Sequence, residues 1–527
     1  MRNCEIINEV FYKGKTYFEV VTKNSNKHFY FRKFSDDDIK VVSKEEFDKA
    51  LGSNGKSLKN QIASKLILPV ILSGMITSSL TGCGKSNENN AEPTKVEVNQ
   101  DLIDAIKSGK EFRLEEDGSI TYIDNTKPKD YEKTIKLEEL EKCGVELEKV
   151  ADGSMYYGDA SIYMIKKMEI KKLPKNILFE GLQYDYNRVD SVDLNTNVTW
   201  DDCIALIDSK DFKEEYKTIL KNAVENYKNL DLDNAIPILY ENIRSSKFVM
   251  DKTHPAAMFD AQGHRLVFGS INVGEDKELY NQMVQLKELG FYTDEDCELL
   301  LEQHIYIGTH EPGHMTSSYY DPKTGDSYNT YDYYIAVDNQ TKEVLDIIQM
   351  GKFAGEGYAD YLTYEGTKRK PCKMYGYSVN QCFYLACIDV LGINSLDELR
   401  TLNTEKLIEK LGEFGFESPF DWAMIFERIV TLDYNALYNM EANNIDLTEA
   451  LITFLDEYYS IQKNKGISDE EIEKSISNII DTIGKRVTTT ENNGEKTVQA
   501  TAGFTTISLD TVEQYYESYD PNEYYLK

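Results

Sequence analysis

Two of the six histidines in this 527-residue chain stand four apart, in Thr309-His-Glu-Pro-Gly-His-Met-Thr-Ser317. Four residues of α-helix advance about 400°, so His310 and His314 project from one face, one turn apart. Two neutral imidazoles so placed can hold a zinc ion, and Glu311 between them can reach a water there. The pattern therefore demands a helix over 310–314, and a second element to bring a further ligand.

Pro312 sets a condition on that helix. Inside a helix a proline loses the bond to the carbonyl four residues back and crowds it, at about 3 kcal/mol. The residue four back is Gly308. The sequence thus predicts a break there and a fresh start with Thr309 as N-cap. Pro312 then falls in the first turn, where amides have no intrahelical partner.

The stretch FAGEGYADYLTYEG, Phe353 to Gly366, supplies the further ligand: Glu356 and Asp360 lie four apart on one helical face. Together with His-Glu-x-x-His, this Glu-Gly-Tyr-Ala-Asp resembles the gluzincins, zinc peptidases that pair the histidine motif with a downstream Glu-x-x-x-Asp helix. The resemblance spans residues 250–370, with Glu356 following His314 by 42 residues. It implies one Zn2+ per chain held by His310, His314 and Glu356. It also implies Glu311 as general base and Asp360 as the group orienting a ligand histidine. The fold it implies is α+β: a zincin-like peptidase with a mixed N-terminal lobe and a helical C-terminal lobe, preceded by small β-rich domains.

Around the motif, AAMFDAQGHRLVFG (Ala256 to Gly269) reads as a hairpin, placed as zincins place the sheet-edge strand that pairs with substrate. Thr293 caps a helical run from Asp294, and His304 in that run is expected to pack and not to ligate. The Tyr-rich stretch between the motifs, with strands at Tyr334–Val337 and Val344–Ile348, reads as a hairpin flap near the cleft, whose tyrosines are available to substrate. Its aspartates lack calcium-loop spacing. Phe212, Tyr216, Ile219, Leu220, Ala223 and Tyr227 mark one apolar helical stripe, most simply core. Beyond Glu356, Ser418-Pro419, Asp446-Leu-Thr-Glu449 and Ser468-Asp-Glu-Glu471 are helix starts. Asn493-Gly494 marks a hairpin. Tyr375, Tyr377, His254 and His264 are equal candidates for the donor a tetrahedral oxyanion needs besides zinc.

The net charge of −32 excludes nucleic acid as a partner, because phosphates would be repelled. SKLILPVILSGMITSSLTGCGK places a short apolar run after lysines and ends in Leu-Thr-Gly-Cys83. This resembles a bacterial lipoprotein signal, with Cys83 lipidated; an uncleaved signal anchor is the alternative. Both put residues 84–527 outside the cytoplasm, attached to the cell membrane, with residues 1–55 cytosolic or removed. The expected domains are a β-rich head (1–55), the signal or anchor (56–83), a polar linker (84–100) and a β-rich accessory domain (101–200). A catalytic domain (201–485) and a C-terminal hairpin and tail (486–527) complete them. Six cysteines outside the head and signal are available for disulfides.

The expected function is a surface-tethered zinc endopeptidase acting on a peptide or protein substrate. The rival is an inactive zincin-like surface lipoprotein that binds a ligand or partner.

Overall fold

The computed structural model describes residues 135–173, 184–251, 257–269, 277–288, 293–371, 377–438, 445–492, 494–500 and 505–519; ahead of these it describes the backbone of six strands. The chain divides into two compact units, Met1–Glu132 and Lys133–Lys527. In the first, Cys4–Tyr12, Lys15–Thr22, His28–Lys33 and Ile39–Val41 pair in sequence order as an antiparallel sheet. Phe112–Leu114 pairs with Ile120–Tyr122. The signal-like stretch, Cys83 and the linker lie outside the described residues.

In the second unit a seven-stranded sheet runs Tyr319–Tyr320, Asp326–Tyr328, Tyr186–Arg188, Gly158–Met168, Asp332–Asp338, Val344–Met350, with Glu146–Ser154 also on Gly158–Met168. Residues 146–188, expected within a separate accessory domain ending at 200, are therefore built into this body. The reason is burial: Ile162 opposes Ala336 and Met164 opposes Tyr334, and all four are wholly buried in one core shared with the helices. Neither half of the sheet covers its own apolar face. The Tyr-rich hairpin is likewise no flap. Asp332–Asp338 has partners on both sides and six of its seven residues are buried.

The hairpin expected upstream of the motif is present. Ala257–Asp260 pairs antiparallel with Arg265–Phe268, and Lys247–Met250 adds in parallel on the far side. Ala257–Asp260 is thus an edge strand.

Helices Trp200–Asp208, Glu214–Lys228 and Ile236–Ser245 pack together, and the expected stripe of Tyr216, Leu220, Ala223 and Tyr227 is buried. After residue 350 the chain is mainly helical, so the body is mixed α+β with a helical C-terminal region. Phe353 stacks on Phe426 at 4.5 Å and Phe416 on Phe454 at 5.1 Å. Each such ring contributes about 1.5–3 kcal/mol by burial. Pro419 opens its helix, and Ser468 with Glu471 forms a capping box, as expected. Asp446 instead sits in a two-residue strand, accepting the Thr448 N–H at 2.9 Å, and the helix begins at Thr448.

At the C-terminal end the hairpin Thr489–Asn492/Glu495–Ala500 forms, with Gly494 at φ +84°. It does not stand apart, for Thr505–Ser508 and Ile445–Asp446 extend it into a four-stranded sheet. Cys203 and Cys387 are buried free thiols and Cys143 is a half-buried one, while Cys297 and Cys382 are also buried. Burial pushes the Cys203 thiol up to about 12. Among the described residues no helix is long and apolar enough to cross a membrane.

Candidate metal centre

The helix bearing the histidines runs unbroken from Gln303 to Ser317, with Pro312 inside it. The start expected at Thr309 does not occur. Packing on three sides holds the helix through the proline: Glu214–Lys228, Ile236–Ser245 and Lys352–Thr367 all lie against it. Missing side chains allow that approach. A Cβ on Gly308 would meet Ile219 Cγ2 at 2.1 Å, and one on Gly313 would meet the Ala359 backbone at 3.3 Å. Tyr227, buried in the neighbouring helix, donates its hydroxyl to the Thr309 carbonyl. Tertiary burial of this extent outweighs the roughly 3 kcal/mol cost of one internal proline.

His310 and His314 present Nε2 to each other at 3.1 Å, rings edge to face. Glu356, from the helix Lys352–Thr367, places Oε2 3.1 Å from His310 Nε2 and 3.4 Å from His314 Nε2. The three donor atoms lie within 4.8 Å of one another. Tetrahedral donors about 2.0–2.2 Å from a zinc stand roughly 3.3 Å apart, so the spacing suits such an ion. Two imidazoles and one carboxylate are also donors that zinc accepts.

The surroundings fix the histidine. Nδ1 of His310 is 2.7 Å from Asp360 Oδ1, and that oxygen accepts the Tyr306 hydroxyl at 2.6 Å. Asp360 and Tyr306 are both buried. A carboxylate at Nδ1 retains the ring proton there and turns the Nε2 lone pair toward His314 and Glu356. Burial alone would lower the pKa of His310, but the Asp360 and Glu356 carboxylates hold it well above the usual imidazole range. Burial would raise that of Glu356, yet the two histidines hold it well below the usual carboxylate range. The carboxylates thus favour positive charge at His310, and the histidines favour negative charge at Glu356.

Glu311 stays outside this cluster. It is buried, and its Oε2 accepts the Phe259 backbone N–H at 2.7 Å. Phe259 belongs to the edge strand, so that strand turns one amide away from its sheet and toward the site. A cavity of about 330 Å³ opens here, lined by His310, His314, Glu356, Glu311, residues 257–262, Tyr331 and Tyr377.

The helix carrying Glu356 begins at Gly351, whose φ is +131°. Buried Glu427 caps it, accepting the N–H groups of Gly351, Lys352 and Phe353 at 3.0–3.1 Å. Burial raises the Glu427 pKa against the pull of those amides.

Four participants escaped sequence reasoning: Tyr306, Tyr331, Glu427 and the Phe259 amide. Two had a signal. Tyr306 precedes His310 by one helical turn, and Glu427 is an acid inside the apolar run WAMIFERIV. Of the oxyanion candidates, Tyr377 lines the cavity with its ring 6.4 Å from that of His310. His264 sits in the hairpin turn against Ser245 and does not line it. His254 and Tyr375 lie outside the described residues. His304 contacts the Leu301 carbonyl and takes no part in the cluster.

Comparisons with protein-family models, curated proteins and solved structures find no match.

Proposed function

We propose that this chain is a zinc-dependent peptide hydrolase, tethered to the outer face of a membrane through Cys83. The observation that carries the hydrolase reading is the convergence of His310, His314 and Glu356 on one wall of a cavity that Glu311 also faces. Zinc held there supplies Lewis acidity toward a water and toward the scissile carbonyl. The protein's own groups supply the rest. Asp360 keeps the His310 ring proton on Nδ1, and Tyr306 holds Asp360. The Phe259 amide fixes one oxygen of Glu311, leaving the other to accept a proton from the attacking water and pass it to the departing amine. Ala257–Asp260 is the last strand of its sheet, and an extended peptide would add along that edge beside Glu311, which holds the Phe259 amide.

The test uses the purified full-length chain. Zinc near one per chain is expected, with cleavage of a diverse peptide library that chelation abolishes and added zinc restores. Background zinc in a folded protein, or cleavage indifferent to chelator, overturns the reading.

A further inference from the structure

Beside the catalytic cavity lies a second, smaller recess. Ser317, Asn329, Thr330, Tyr331, Gly351 and Gly355 border both spaces, so the recess adjoins the place where peptide would lie. Its volume is about 20 Å³. That is room for one water or the end of a carboxylate, and too little for an aromatic or branched side chain.

Arg400, at the end of the short helix Leu396–Arg400, lines it and is 6% exposed. Asp397 Oδ1 takes Nε at 2.9 Å and Nη2 at 2.7 Å. Nη1 is buried and has no acceptor.

Neighbouring polar groups are committed elsewhere. Asp332 gives Oδ1 to Arg188 Nε at 3.0 Å and Oδ2 to the Glu405 N–H at 3.3 Å. Asn329 donates to the Arg400 carbonyl and accepts from Asn403. Ser317 donates to the His314 carbonyl. Nη1 of Arg400 is therefore the one buried donor left unmet among the described residues that line the recess.

A buried cationic donor without an acceptor is costly, and its persistence beside a cavity calls for a partner that arrives from that cavity. The planar guanidinium fork matches a carboxylate better than any neutral group. We infer that this recess is a specificity pocket for a carboxylate of the bound peptide, either an Asp or Glu side chain or the chain's C-terminal carboxylate. This inference rests on the hydrolase reading for its substrate. The strongly negative net charge does not oppose it, because a buried donor acts at contact while the field of distant surface charge is screened within about 8 Å at physiological salt.

The experiment uses a peptide set in which each member carries Glu or Gln at one position and ends in a free acid or an amide. Cleavage by the zinc-loaded full-length chain is compared with that by Arg400→Gln. We expect one pair to be cut about tenfold or more in favour of the acid, as loss of a charge-assisted bond implies. A Glu/Gln preference identifies the side chain as the source, and an acid/amide preference at the terminus identifies the chain end. In Arg400→Gln the ratio should fall below about twofold. No charge preference in the wild type, or one that survives in Arg400→Gln, overturns the pocket. If Arg400→Gln does not fold, Arg400→Met, which also removes the charge and the donors, replaces it, and an undiminished preference overturns the pocket equally. If the wild type cuts no peptide, the hydrolase reading fails by itself. The same pairs are then compared by calorimetric binding: an acid-over-amide affinity ratio lost in the variant sustains the pocket, and equal affinities overturn it.

Discussion

At the scale of single residues the site is a relay of buried contacts ending on one nitrogen. Tyr306 holds Asp360, Asp360 holds Nδ1 of His310, and Nε2 of His310 faces His314 and Glu356. Each link removes a rotational choice from the next, so the outer members should affect metal affinity without touching metal. Asp360→Asn should weaken zinc binding about 10- to 100-fold. Tyr306→Phe should weaken it less, with the fold retained in both. Competition against a chromophoric chelator reads this directly. Wild-type affinity in Asp360→Asn would mean that the Nδ1 contact does no orienting. The three candidate metal-holding residues and Asp360 were legible in the sequence because each pair is four apart on a helix, a spacing fixed by local geometry. Tyr306 was equally local, four before His310, but a tyrosine on a helix reads as core until its acceptor is known.

At the scale of elements, the decisive feature is how two helices are brought together despite poor local signals. A helix through Pro312 contradicts local propensity. Its support comes from Ile219, Tyr227 and Ala359, remote in sequence, so a reading of residues 303–317 alone places the break at Gly308. The same holds for strand Gly158–Met168, whose partners in Asp332–Asp338 lie 170 to 178 residues away and show only once the core is assembled.

The partner helix has its own device, Glu427 on its first three amides. Since burial raises that carboxyl's pKa, the folded chain takes up its proton more readily than the unfolded chain, where Glu titrates near about 4.3. Stability from this group is therefore fully present below the unfolded value and is lost as pH rises through the folded one. Thermal midpoints of wild type and Glu427→Gln between about pH 4 and 8 should show the wild type gaining on the variant as pH falls. A constant gap, or one of opposite slope, would remove this assignment.

At the scale of the whole molecule the chain comprises two compact units, with the proposed chemistry confined to Lys133–Lys527. The boundary at Glu132 was not legible, because residues 135–200 carry the same strand-and-turn texture as the chain before them. What assigns them is pairing with strands from residue 326 onward. The proposed membrane tether rests on Cys83 and the apolar run before it. Cys83→Ser should shift the protein from the membrane fraction to the soluble one or leave a longer precursor. Unchanged fractionation and migration would exclude lipidation. The account as a whole turns on Glu311, which faces the cavity but is not among the three residues that could hold a metal. The direct measurement is hydrolysis of a peptide library by wild type and Glu311→Gln, with zinc content determined on the same samples. Equal zinc in both and a loss of about 10²- to 10⁴-fold in rate for the variant is the predicted result. Equal rates in the two proteins, or zinc in both with cleavage by neither, would contradict it, the second outcome leaving a zinc-holding binding protein.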